Sequence, residues 1–139
     1  VRPGCIVVLS TPNIHNSYSR LQFLFTCTWY QFNPATLRDL PPDAQEDRFH
    51  ISPIAYPWLR HRADLLGADV EAIDGDRWKR KALLPVYWLI HLLGVPWSRR
   101  LFFGRKAAPW RPRNEQMHAH LNSSALLYSR TMVATLRKR

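Results

Sequence analysis

Apolar and polar positions fall in blocks along this chain, and the blocks predict its elements. Residues 6–9 read Ile6-Val7-Val8-Leu9, four apolar positions in a row between Pro3-Gly4 and Ser10-Thr11-Pro12-Asn13. A run of this kind between turn residues predicts a strand, and its lack of polar alternation predicts cover on both faces, as in the middle of a mainly parallel sheet. Asn16 or Ser17 then caps a helix that starts near Tyr18, carries Leu21, Leu24 and Phe25 on one side, and fades across residues 26–28. Residues 31–47, with Asn33-Pro34, Pro41-Pro42 and the acidic Asp43, Glu46 and Asp47, predict a mobile surface loop. Ser52-Pro53 opens a second helix with a stripe of Leu59, Ala63 and Leu66, and Gly67 supplies its left-handed stop. Residues 68–74 read as a second strand in which Val70 and Ile73 depart from strict alternation.

The most hydrophobic stretch, residues 82–97, is broken by Pro85, His91, Gly94 and Pro96. Its uninterrupted part, residues 86–93, is far shorter than the roughly 20 apolar residues that a spanning helix needs. Residues 109–113 read as an irregular basic linker, and residues 129–136 alternate as a final strand does.

Charge changes the picture of the second half. Residues 1–76 hold six Arg against nine acidic side chains, whereas residues 77–139 hold fourteen Lys and Arg against Glu115 alone. The net charge of +10 is therefore a local −3 followed by a local +13, and the basic half expects an anionic neighbour such as a phospholipid surface, a nucleic acid or an acidic domain. Cys5 and Cys27 share no metal or disulfide spacing, which fits a reduced, cytoplasmic setting. The 139 residues suffice for one domain, yet the chain opens on Val1 and enters a strand almost at once, with no signal-peptide pattern in residues 1–16. It reads as a cut rather than a beginning.

Three words of sequence carry a resemblance. The segment Arg2-Pro3-Gly4-Cys5-Ile6-Val7-Val8-Leu9-Ser10-Thr11-Pro12-Asn13 resembles the fifth-strand segment of class I S-adenosylmethionine-dependent methyltransferases, with Cys5 in place of a second glycine. His50-Ile51-Ser52-Pro53, with the later Leu65-Leu66-Gly67-Ala68-Asp69-Val70-Glu71, is similar to the stretch that leads into that family's sixth strand, Ala68 standing where Phe is commoner. Residues 129–138 look like its seventh strand. The resemblance spans nearly the whole chain. It implies a partial Rossmann-like α/β fold of the last three strands, the final one antiparallel between the other two, with residues 77–113 as a basic, hydrophobic helical insertion. It also implies methyl transfer, and the basic, hydrophobic insertion suggests a small-molecule or lipid-linked acceptor, methylated at oxygen. The glycine-rich turn and acidic strand end that hold S-adenosylmethionine in such enzymes are absent, so the chain reads as the half without the cofactor site, inactive when isolated.

The same resemblance places the loop after the first strand at the carboxyl edge of the sheet, where open α/β folds bind ligands, and makes Asn13, His15, Tyr18, Arg20 and His50 substrate-pocket candidates. Asn13 and Asn16 equally suit turn and cap bonds, and His50 suits a bond to a loop carbonyl. His118 and His120, one residue apart, would share a face on a strand; without a third ligand, solvated loop histidines are the better reading and no metal is expected. Lys79, Arg80, Lys81, Trp88, Trp97, Arg99, Arg100, Phe102 and Phe103 interleave cations and aromatics, the pattern of a membrane-surface contact peripheral to the bilayer. A helical pair packed over the sheet with a solvated basic rim explains the same residues. A nucleic-acid groove fits this aliphatic stretch less well. The rival to an enzyme is a non-catalytic basic, aromatic module that binds a membrane surface or a protein partner.

Overall fold

The last strand of the chain lies in the middle of its sheet. The computed structural model describes residues 2–32, 53–78 and 80–139. Among them the chain runs through strand β1 (Ile6–Pro12), helix α1 (Ser17–Thr26), helix α2 (Tyr56–Leu65), strand β2 (Ala68–Gly75), helix α3 (Leu84–Phe103), helix α4 (Arg111–Leu121), the short helix α5 (Ser124–Tyr128) and strand β3 (Thr131–Lys138). Single 3-10 stretches, Lys81–Leu83 and Arg105–Trp110, lead into α3 and α4. The sheet order is β1-β3-β2, and β3 runs antiparallel to both neighbours. The fold is thus mixed α/β, and the last strand sits between the first two, as expected of it.

Alternation along β3 sends Met132, Ala134 and Leu136 into the core, where they meet Val70 and Ile73 of β2, Tyr56 and Ala63 of α2 and Leu126 of α5. Val70 and Ile73 share this face although they are three apart, because the register slips between Val70 and Ala72, leaving Glu71 as a bulge. That bulge explains the broken period in the sequence. It also turns Glu71 outward onto the guanidinium of Arg137, which grips both carboxylate oxygens.

β1 departs from expectation. Its register with β3 puts Val7 and Leu9 on the core side and Ile6 and Val8 on the other, yet all four are exposed, Ile6 by 55% and Val8 by 61%. The helices explain why: α2 and α5 pack on β2, so cover stops short of the first strand. Beside α2 this leaves an apolar groove of about 610 Å³ lined by Val7, Leu9, Leu59, Ala63, Leu66 and Leu136 among others. Among the described residues only β3 pairs with β1, so its outer edge is open. The expected cover on both faces is not supplied by the described residues.

Helix α1 is capped by Asn16, whose Oδ1 accepts the Ser19 amide at 2.8 Å, and ended by Cys27 in the left-handed region. Its orientation reverses the expected one. Leu24 and Phe25 are 73% and 77% exposed, while Ser17 and Ser19 are buried. Two hydrogen bonds hold it so: Ser17 Oγ donates to the Leu127 carbonyl (3.1 Å), and Ser19 Oγ accepts the Tyr30 amide (3.0 Å). Helix α3 also differs, because Gly94 and Pro96 do not interrupt it and it runs for 20 residues. Pro96 gives up the bond its own amide would make to the Leu92 carbonyl. The basic linker expected at residues 109–113 is instead the junction of a 3-10 turn with α4, Pro112 standing at the helix start where its missing amide costs nothing. No described helix is long and apolar enough to cross a membrane.

Candidate functional site at the carboxyl end of the first strand

Where β1 ends, the chain is locked by Asn13. Its side chain is 1% exposed; Nδ2 donates to the carbonyls of Leu126 and Ser129, both at 3.0 Å, and Oδ1 accepts the His15 amide at 2.9 Å. Asn16 Nδ2 returns a bond to the Asn13 carbonyl at 2.6 Å. These contacts tie the loop to the α5–β3 junction and use up both amides. His15 Nε2 accepts the Tyr56 amide at 2.7 Å, which makes it the N-terminal cap that Ala55 has no side chain to provide for α2. Burial, reinforced by the charge of Arg20, pushes the His15 pKa down to about 4, so the ring is neutral and suited to accepting.

Tyr18 and Arg20 leave the loop in different directions. The Arg80 guanidinium lies 3.3 Å from the Tyr18 ring centre and 5.1 Å from that of Tyr30, and the two rings meet edge to face. Tyr87 and Tyr128 complete a small tyrosine-rich cavity of about 20 Å³, room for roughly one water. The Tyr87 hydroxyl is buried there without a hydrogen-bond partner among the described residues, and burial raises its pKa against the opposing pull of Arg80. Arg20 instead lines a pocket of about 180 Å³ with Ser17, His91, Ser98 and Asn122, between α1 and α3. Burial and the charge of Arg20 lower the His91 pKa. A guanidinium, a neutral imidazole and hydroxyl and amide groups, with no carboxylate among them, suit a ligand bearing an anionic or hydroxyl group.

His50 and Lys79 lie outside the described residues. Of the cation and aromatic set, Arg80, Lys81, Trp88, Trp97, Arg99 and Arg100 are exposed. Phe102 and Phe103 are not part of that surface, for both turn onto the His118 ring, at 5.4 and 5.0 Å between centres. His118 and His120 lie on helix α4 rather than in a solvated loop, and two residues along a helix is roughly 200° of rotation, so they face opposite ways. His120 Nδ1 shares a hydrogen with the Tyr56 hydroxyl. That hydroxyl also accepts from Arg60 Nη1 (3.3 Å), while Arg60 Nη2 donates to Gln116 Oε1 (2.6 Å) and Gln116 Nε2 to the Val70 carbonyl (3.1 Å). Sequence reasoning missed this buried chain and missed His91. A polar residue inside an apolar helical run was the one available signal for His91.

Nothing in the described residues forms a seat for a nucleoside. Gly4 at φ +82 and Gly67 at φ +64 serve isolated turns, and the Asn13 and His15 amides of the β1 loop are already bonded. S-adenosylmethionine therefore finds no seat among the described residues. No three His, Cys, Asp or Glu side chains converge as metal ligands among the described residues. No family model, curated protein or solved structure matches the chain.

Proposed function

We propose that this chain is the carboxyl-terminal part of a class I S-adenosylmethionine-dependent methyltransferase, a Rossmann-like fold whose remaining strands lie outside it, acting in the cytoplasm on a small-molecule or lipid-linked hydroxyl. The observation that carries the reading is β1: its residues Ile6–Leu9 are apolar without a break and exposed on both faces, and among the described residues the strand is paired on one edge alone. Such a strand is costly in water and is normal inside a parallel sheet with helices on each side. The antiparallel strand between β1 and β2, together with the three sequence words at their ends, supports the same assignment. In this reading the pocket of Arg20 and His91 receives the acceptor, and the neutral His91 ring that lines it can accept a hydrogen bond from the acceptor hydroxyl.

Calorimetric titration with S-adenosylmethionine tests the proposal, on this chain and on the chain continued through the coding sequence that runs up to Val1. Binding by the longer protein alone supports it; a longer protein that binds none contradicts it. The second reading, a non-catalytic module, is favoured by the outward apolar side of α3, and it predicts no cofactor binding by either form.

A further inference from the structure

Helix α3 carries its apolar side outward. At 100° per residue, Val86, Leu89, Ile90, Leu93, Trp97 and Leu101 fall within a sector roughly 120° wide. All six are exposed, Leu93 by 72% and Trp97 by 77%. The inward side holds Tyr87, His91, Val95, Ser98 and Phe102, several of them polar. An ordinary surface helix has the reverse arrangement, so the stripe asks for a covering partner.

Charge selects the partner. Arg99 and Arg100 stand on α3, and Arg105 and Lys106 begin the turn after it; all four are exposed, and none is in an ion pair among the described residues. At the end of the stripe, Trp97, Arg100, Arg105 and Lys106 line a cleft of about 560 Å³, an indole and three cations around one opening. A second copy of the chain would bring one basic half against another. A nucleic acid would meet aliphatic side chains where stacking rings are needed. An anionic bilayer satisfies both features, since its acyl boundary takes Leu and Trp while its phosphates take the cations.

We propose that α3 lies in the plane of an anionic phospholipid surface, with Leu93 and Trp97 entering the acyl boundary and the cleft at Arg100, Arg105 and Lys106 seating a lipid phosphate. The helix lies on the membrane and does not span it. This docking stands independently of the methyltransferase assignment, and the two fail separately.

Sedimentation of the full chain with vesicles of phosphatidylcholine alone, and of phosphatidylcholine with phosphatidylserine, is the test. The chain pellets with the mixed vesicles and stays in solution with the neutral ones. Leu93→Glu with Trp97→Glu, both at exposed positions and so neutral for folding by circular dichroism, weakens the partition at least about tenfold. Arg100→Gln with Lys106→Gln weakens it too and removes its salt dependence in part. Equal binding to both vesicles, no binding, pelleting without vesicles, or a double Glu variant that pellets like the parent each overturns the proposal.

Discussion

His15 Nε2 accepts the backbone N–H of Tyr56 at 2.7 Å, across 41 positions of sequence, and by doing so joins the end of β1 to the start of α2. A protonated ring has no lone pair for that bond, which is the chemical side of its low pKa. The unfolded imidazole takes up its proton near 6.5 and the folded one only near 4, so between these values the unfolded chain holds more protons. Stability from this group is therefore complete above pH 6.5, declines as the pH falls, and is spent below about pH 4, for a total of about 3 kcal/mol. His91, His118 and His120 are shifted in the same direction, chiefly by burial, and add to the trend. Urea unfolding at pH 7 and pH 5 measures it. His15→Gln, which accepts a hydrogen bond without titrating, flattens the dependence; an unchanged slope in that variant would show that His15 is not its source.

Asn13 binds three segments at once, and its replacement strands the Leu126 and Ser129 carbonyls and the His15 amide. Asn13→Ala costs about 2–3 kcal/mol of unfolding free energy. Asn13→Asp costs at least as much, since it turns a carboxylate oxygen onto carbonyls. Chemical denaturation reads both, and a loss below about 0.5 kcal/mol in each would remove the locking role.

How much of this was legible in the sequence depends on what fixes each feature. Local rules place the strand at Ile6, the Asn16 cap and the end of α1 near Thr26, because a turn, a cap bond or an apolar run acts within a few residues. The position of β3 between β1 and β2 came from resemblance, not from periodicity. Tertiary bonds decided the rest. Ser17 and Ser19 turned α1 so that Leu24 and Phe25 face out, against their helical stripe, and the helix at α3 continued past Pro96, where a local rule expects a break. At the site, Tyr18 and Arg20 were legible as candidates by their place after β1. The partners that complete their pockets, Arg80 and His91, lie more than 60 residues away, at a separation no local pattern reports.

The buried Tyr56 hydroxyl sits between His120 and Arg60, and its ring is fully enclosed. Tyr56→Phe keeps the ring and deletes the oxygen, which leaves a partly buried imidazole and guanidinium without that partner. The expected loss is about 1–2 kcal/mol by thermal or urea unfolding. Arg60→Met also breaks the link through Gln116 to Val70 and is expected to cost at least as much. Wild-type stability in both variants would mean the chain of bonds is incidental.

Val8 gives opposite outcomes in two contexts. In this chain Val8→Lys places a charge at a position 61% exposed on an open strand, so stability changes by less than about 0.5 kcal/mol and self-association at high concentration falls. In the protein continued upstream of Val1, the same lysine enters a covered sheet face and destabilises it by about 3 kcal/mol or more. Paired denaturation curves compare the two. Equal, small effects in both would mean that β1 stays bare.

Amide hydrogen exchange along β1 tests the central claim most directly. Asn13 donates to the Arg130 carbonyl and Cys5 accepts from Lys138, so by antiparallel alternation the odd-numbered residues between them face β3 and the amides of Ile6, Val8 and Ser10 point to the open edge. In this chain those three amides exchange quickly while Val7, Leu9 and Thr11 are protected; continued upstream of Val1, the protein protects all six. Slow exchange at Ile6, Val8 and Ser10 in the chain alone, or fast exchange there in the longer protein, would contradict an interior strand awaiting its neighbour.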